Sequence, residues 1–192
     1  MRTLDKGILP PVSASAPDRF ETDRLLLRKP VAADAEAIFT RYSSDPTVTR
    51  FLGWPRHTSV DQARAFLEFS DIEWQKWPAG PYLIESLADG RLLGGTGLGF
   101  ETPRIATTGY VLARDAWGVG YATEALAAMV LMARTLRLEH LAALCHPDNQ
   151  ASVHVLEKCG FVLVERLGNF VGFPNLGVPE PQECLRYEQR LI

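Results

Sequence analysis

In the stretch Asp115–Ala125, DAWGVGYATEA, Gly118 and Gly120 stand two apart between aromatic residues, at the mouth of the most apolar helical run in the chain. Glycine weakens a helix by roughly 1 kcal/mol relative to alanine, so this placement asks for a reason. The turn lies between an extended run, IATTGYVLAR, and a helical run starting near Tyr121, so its backbone amides gather at a helix N-terminus. Four N–H groups at such an end lack intrahelical partners, and the dipole adds about half a positive charge. A phosphate can sit against them if no side chain blocks the backbone, and two glycines clear that approach. The chemistry suggested is capture of a phosphorylated ligand. A tight strand-to-helix turn that needs glycine for its own sake is the plainer account, and the sequence leaves it open.

Two familiar phosphate loops fit poorly. A Walker A loop needs Gly-Lys-Ser/Thr, which is absent, and the dinucleotide fingerprint needs a third glycine where Thr123 stands. That fingerprint also opens a parallel array, whereas this turn falls mid-chain after hairpin-like strands. Cys145 and His146 are neighbours on an extended run and so face opposite ways, which argues against a Cys/His nucleophile. A small buried thiol is the simpler reading of Cys145. His57, His140, His146 and His154 show no metal-ligand spacing, and no metal is expected. Phe51, Leu52, Trp54, Trp74 and Trp77 belong either to the core or to a binding cleft.

The chain that positions these residues has 192 residues, 46% hydrophobic and 22% charged, which fits one soluble domain with a core needing no disulfide or metal. A net charge of −3 gives no general attraction to nucleic acid or to an anionic membrane. Cys145, Cys159 and Cys184 are odd in number and lack CxxC spacing, as expected of reduced thiols in a cytoplasmic protein. No run is apolar enough for a signal peptide or membrane span. Residues 1–19, with Pro10, Pro11, Pro17, Ser13 and Ser15, read as a flexible arm before a single domain over 20–192.

Within that domain RLLLRKP reads as a strand, VAADAEAIFTRYSS as a helix, DPTVTRFLGWP as a loop, and SVDQARAFLEFSDIEW as a helix capped by Ser59. PYLIESL, RLLGGTGLGF and IATTGYVLAR follow as strands, with ADG marking a hairpin between the first two. A helix apolar on nearly every side spans Val119 to about Arg134, then HLAALCH is a strand. PDNQASVHVLEKCGF is a short helix from an Asn cap to Gly160. FVLVERL and ECLRYEQRL are closing strands around a Gly/Pro-rich loop from Gly168 to Pro181. The order β-α-α-β-β-β-α-β-α-β-β implies an α/β (α+β) fold, a mixed sheet with helices packed on it.

Four of these segments, in order, resemble the GNAT family of N-acetyltransferases, and within it the ribosomal-protein (RimJ/RimL-like) subgroup. ETDRLLLRKPVAADAEAIF is similar to its opening strand and helix, and DPTVTRFLGWP to the loop that follows. GYVLARDAWGVGYATEAL is similar to its acetyl-CoA motif and NQASVHVLEKCGF to its second cofactor motif, so the likeness runs from about Phe20 to Arg190. The resemblance implies a mostly antiparallel central sheet splayed at the cofactor site, with helices on both faces. Pantetheine would fill the splay against the backbone of Val111, Leu112 and Ala113. The pyrophosphate would lie beside Gly118 on the amides of Val119, Gly120, Tyr121, Ala122 and Thr123. Asn149 and Ser152 match positions near the sulfur end, although Asn149 also reads as a plain helix cap and Ser152 as a helix-start hydrogen-bonding group.

The implied reaction is direct attack by an amine acceptor, a peptide N-terminus or a small molecule, on the thioester of acetyl-CoA. The amine must lose a proton, the oxyanion needs a donor such as a strand amide near Val111, and the leaving thiolate gains from a hydroxyl such as that of Ser152. The sequence departs from the family pattern at Thr107, where many relatives carry a glutamate base, and at Leu156, where many carry a tyrosine acid. Leucine is usual in the subgroup. The base is then Glu101 or ordered water, with water favoured, because a solvated surface carboxylate is the simpler reading of Glu101. The resemblance leaves room for a homodimer. A non-catalytic acyl-CoA-binding or sensory module and a nucleotide-binding regulatory domain are the competing readings.

Overall fold

Leu25, Leu26 and Leu27 are all buried, as a strand covered on both faces requires. The computed structural model describes residues 15–170, 172–178 and 180–191. Among them run strands β1 (Arg19–Glu21), β2 (Leu25–Arg28), β3 (Pro81–Ser86), β4 (Leu92–Thr102), β5 (Ile105–Leu112), β6 (His140–Cys145), β7 (Val162–Phe170) and β8 (Gln182–Arg190). They form one sheet in the order β1-β2-β3-β4-β5-β6-β8-β7. Every neighbouring pair is antiparallel except β5–β6. The helices are α1 (Ala35–Ile38), α2 (Pro46–Thr49), α3 (Val60–Lys76), α4 (Tyr121–Thr135) and α5 (Gln150–Lys158). None is long and apolar enough to cross a membrane among the described residues.

Alternation along the strands builds two core layers. Leu83 and Leu92 pack with Ile38, Tyr42, Ala63 and Leu67 in one cluster. Their neighbours Tyr82, Ile84 and Leu93 pack with Leu126, Met129 and Ala133 of α4 in the other. This is the mixed, mostly antiparallel sheet with helices on both faces that the family resemblance implied.

Four details differ from the sequence reading. Strand β1 lies partly in the segment read as an arm, because its three residues are too few to show a period. Just before it, Ala16 is buried with its N–H on the Pro78 carbonyl at 2.7 Å, and the Tyr82 hydroxyl bonds the Pro17 carbonyl at 2.8 Å. Residues 15–19 are thus docked, and the rest of the expected arm lies outside the described residues. The loop after α1 holds α2, started by Pro46 and capped by Asp45, whose carboxylate accepts from the N–H groups of Thr47 and Val48. The helix expected over residues 31–44 becomes α1 followed by a π-turn over Phe39–Ser43, closed by the Ser44 N–H on the Phe39 carbonyl at 3.2 Å.

A charge cluster fixes α1 to the sheet. Arg28 reaches both oxygens of Asp34, at 2.7 and 2.8 Å, and also bonds Glu85 at 2.6 Å. Burial alone would raise the Asp34 carboxyl, but the Arg28 hydrogen bonds and the Val31 N–H outweigh it and hold it below the usual range. A depressed folded value means the contribution is present above about pH 4, the unfolded value, and is lost as pH falls through the folded one. Asp34→Asn is therefore expected to lower urea stability by about 2 kcal/mol at pH 7, with the gap to wild type narrowing below about pH 4. A gap that stays constant down to pH 3 contradicts this assignment.

Candidate active site

The parallel pairing of β5 with β6 stops after three residue pairs, the last being Thr107 with Ala142. Beyond it β5 stays with β4 and β6 stays with β8, so Thr108–Leu112 and Ala143–Cys145 diverge. A cavity of about 1420 Å³ opens in the gap and continues beneath the segment after α1. Single-ligand pockets hold roughly 300–1,000 Å³, so the space suits two ligands meeting.

The ladder decides which backbone groups face this gap. The Ala113 N–H donates to the Leu93 carbonyl at 2.7 Å, and Leu112 stands opposite Gly94. Antiparallel pairs alternate between bonded and non-bonded, so Val111 and Ala113 bond β4, whereas Thr108, Tyr110 and Leu112 turn their N–H and C=O groups to the gap. Of the three residues expected to offer backbone to pantetheine, Leu112 turns its groups to the gap, where its carbonyl accepts from the Trp117 indole at 2.8 Å, and Val111 and Ala113 turn theirs to β4. The Tyr110 amide is the next strand N–H turned to the gap.

At the end of β5 the chain turns into α4. Gly118 and Gly120 have φ of +77° and +88°, where a Cβ is strained, so the turn requires glycine whatever binds. The plainer account of the pair is correct as far as it goes. A Cβ on Gly118 would nevertheless meet nothing within 4 Å, so that face of the turn is open. Gly120 is the α4 N-cap without a capping side chain, and Gly118, Gly120, Tyr121, Ala122 and Thr123 all line the cavity. Val119 does not line it with them and is half exposed. The uncapped amides at the start of α4 suit an anion.

Arg24, which sequence reasoning missed, braces this turn. Its guanidinium bonds Glu124 and the Val119 carbonyl, at 2.7 and 2.9 Å, and lies 4.8 Å from the centre of the Tyr121 ring. Burial would raise the Glu124 carboxyl, but hydrogen bonds from Thr22 and Arg24 overcome it, so Glu124 is held ionised and paired in the first turn. Arg24 thereby neutralises a carboxylate that would oppose an anion at this helix end.

Across the gap, Asn149 caps α5 by accepting the Ser152 N–H at 3.3 Å, which is the plain role foreseen for it, and both residues line the cavity. The Tyr110 hydroxyl donates to Ser152 Oγ at 3.0 Å, leaving the serine proton to point elsewhere. Burial pushes the Tyr110 hydroxyl up to about 12 against the opposing pull of Ser152, so it stays protonated at neutral pH. Burial likewise pushes the Cys145 thiol up to about 11, so it is protonated at neutral pH. Leu156 is buried beside them, so a hydroxyl comes here from the strand where the family motif draws one from the helix.

Glu101 is exposed at the far end of β4, next to a bulge, and is not among the residues lining the cavity. Thr107 does line it, but its hydroxyl donates to the Gly99 carbonyl at 3.2 Å and carries no ionisable group. Phe51, Leu52 and Trp54 line the cavity, whereas Trp74 packs on Tyr82 and Trp77 stacks on Phe100. Asn175, in the loop between β7 and β8, donates to the Thr49 and Trp54 carbonyls at 2.8 Å each and accepts the Arg56 N–H at 2.7 Å. It ties that loop, whose Gly172 and Phe173 line the cavity, to the segment around α2, and no local sequence signal could have found it. No group of three His, Cys, Asp or Glu side chains is placed to hold a metal ion among the described residues.

The pattern described as an acetyltransferase (GNAT) domain matches residues 24–162. The chain is 33% identical over 144 residues to the uncharacterized N-acetyltransferase YoaA of Bacillus subtilis strain 168, covering 73% of this chain and 81% of YoaA. A GNAT-family acetyltransferase structure from Bacillus anthracis superposes with a TM-score of 0.78 at 22% identity, covering 90% of this chain and 98% of the other. RimL, a ribosomal L7/L12 alpha-N-protein acetyltransferase in complex with coenzyme A, superposes with a TM-score of 0.77 at 22% identity, over 88% and 96% of the two chains.

Proposed function

The chain belongs to the GNAT acetyltransferase family, and we propose that it moves an acetyl group from acetyl-CoA to a primary amine by direct attack. The observation that carries this reading is one continuous cavity. It holds the uncapped α4 N-terminus, the gap-facing backbone of β5 and the Tyr110–Ser152 hydroxyl pair together. The α4 amides would take the pyrophosphate of acetyl-CoA, and Thr108, Tyr110 and Leu112 would pair with its pantetheine arm.

The acyl carbon enters the gap beside the Tyr110 amide, which stabilises oxygen charge as the amine adds. Ser152 gives its proton to the departing sulfur, Tyr110, hydrogen-bonded behind it, resupplies the serine, and the proton that water takes from the amine returns to Tyr110. A free thiol ionises near pKa ~8.5, so a positioned donor helps it leave at neutral pH. With Glu101 outside the cavity and Thr107 neutral, water takes the amine proton. Glu101→Gln should therefore cost less than about threefold in turnover, against the 10²-fold or more expected of a removed base. The rate should climb with pH along the acceptor's own ionisation, near ~7.7–8 for an α-amine or ~10.4 for an alkylamine, without a carboxylate limb near neutrality.

The acceptor is a peptide N-terminus or a small amine, and RimL, with its ribosomal protein acceptor, illustrates the first class. An acceptor screen with the purified protein, reading thiol release from acetyl-CoA, tests the reading directly. Thiol release that depends on an amine supports it. Tight CoA binding without release for any amine would point to a non-catalytic acyl-CoA module, the reading that the neutral Thr107 position favours.

A further inference from the structure

The two faces of the sheet beside the gap are not alike. On β5 the side chains of Tyr110 and Leu112 pack in the α4 cluster, whereas Val111 packs in the α1 cluster. The Ser152 hydroxyl lies on the α4 side, against Tyr110. The α1 side carries a floor almost without side chains. Gly95, Gly97 and Gly99 of β4 alternate onto it, with Val111, Gly109 and Thr107 opposite them on β5, and all of these line the cavity. A Cβ on Gly109 would meet nothing within 4 Å, so the floor is open above that residue.

Over this floor stands Tyr42. It belongs to the π-turn Phe39–Ser43, an insertion of the kind that recurs at functional sites. The residue is 3% exposed and packed in the α1 cluster, and its hydroxyl lies 3.5 Å from where a Cβ of Gly95 would stand. The Tyr82, Tyr110 and Tyr187 hydroxyls each have a hydrogen-bond partner, but that of Tyr42 has none among the described residues. Nor is it sealed off as Ser43 Oγ is, since it keeps accessible surface on the cavity that Tyr42 lines. A buried hydroxyl left without a bond is destabilising, so its complement is a group that enters the cavity. Burial, with the Asp34 charge adding to it, pushes the phenol above its usual range, so it is a neutral donor and acceptor and not a base.

We propose that Tyr42 holds the attacking amine: its oxygen accepts one N–H of the neutral amine, which lies on the glycine floor with its lone pair turned to the acyl carbon. The proposal rests on the acetyl-transfer reading. Gly95, beside the hydroxyl, stands opposite Val111, the residue after Tyr110, so Tyr42 approaches the acyl site from the face that the Tyr110–Ser152 pair leaves free. The N–C bond forms, the C–S bond breaks, the surplus proton of the amine leaves to water, and Tyr42 keeps its own. The contact is to the nitrogen itself, so it serves every primary amine alike and does not choose among their bodies. A side chain on Gly109 would take the place of the first carbons of the amine.

The test compares wild type with Tyr42→Phe and Gly109→Val, using n-butylamine, phenethylamine, spermidine and a serine-led peptide as probes and thiol release from acetyl-CoA as the readout. Acetyl-CoA binding is measured separately by calorimetry. Tyr42→Phe removes no hydrogen bond among the described residues, so its melting temperature should not fall. Its kcat/KM should drop about tenfold, by the same factor for each amine that wild type uses, with acetyl-CoA affinity within about threefold. Gly109 has no positive φ and has room for a Cβ, so valine suits the strand. Gly109→Val should lower kcat/KM by about 10²-fold, the cost of displacing the amine by about 1 Å. Tyr42→Phe decides the matter even if Gly109→Val fails to fold. Unchanged turnover in either folded variant overturns the proposal and leaves acetyl transfer standing. So does a Tyr42→Phe loss confined to one amine, or one matched by lost acetyl-CoA affinity or a lower melting temperature. Bound acetyl-CoA with no thiol released by any of the four amines overturns both.

Discussion

Gly118→Asn is expected to leave the protein folded and to weaken coenzyme A binding by at least tenfold. The substitution separates two reasons for the glycine. At φ +77° most side chains are strained by about 1–2 kcal/mol, but asparagine tolerates the left-handed region better than most. A Cβ there meets nothing of the protein within 4 Å, so the fold has room for it. Only a ligand lying on the α4 N-terminus would be displaced. Gly120→Val is a poorer test, since φ +88° and the Arg24 guanidinium 3.4 Å away disturb the turn with or without a ligand. Calorimetry on a Gly118→Asn protein with near-native melting temperature gives the answer. Affinity equal to wild type would remove the pyrophosphate from this turn.

Ser152→Ala should lower turnover by about 10²–10⁴-fold under conditions where chemistry limits, while acetyl-CoA affinity changes by less than about threefold. The split follows from geometry. Ser152 lines the cavity at the start of α5, and its own N–H, not its hydroxyl, completes the Asn149 cap, so removing Oγ spares the helix. Tyr110→Phe leaves the serine in place and deletes only the group that backs it, so its loss should be smaller, about tenfold. The double variant should then be little worse than Ser152→Ala alone, because both act through one proton. Independent, multiplying losses would show that the hydroxyls do not form a relay. Unchanged turnover in Ser152→Ala would pass the donor role to water.

Local periodicity was enough to place the long strands and helices and the glycine turn and Asn cap between them. The pattern of IATTGYVLARDAWGVGYATEAL gives a strand, a glycine turn and an apolar helix, and PDNQASVHVLEKCGF gives a capped helix, because each depends on residues within a few positions of one another. Both appear in the folded chain, with α4 starting at Tyr121 and α5 at Gln150. Their order along the chain was also enough to suggest the family fold.

Parity and long-range neighbours were beyond reach. A strand alternates with period two, so its sequence shows two sets of residues but not which set bonds the neighbouring strand. The register of β5 on β4 decided that Tyr110 and Leu112, and not Val111 and Ala113, turn their backbone N–H and C=O groups to the gap. Tyr110 meets Ser152 across 42 positions, and Asn175 meets Thr49 across 126. Glu101 illustrates the converse: near the motif in sequence, it is carried out of the site by the far end of its strand and a bulge. The sequence alone determined where the glycine turn before α4 and the Asn149 cap of α5 would lie, since a helix end and its cap are local objects. Which hydroxyls, amides and aromatic rings surround the reacting atoms was decided by tertiary structure, because those groups meet only when strands pair and loops close over the gap between them.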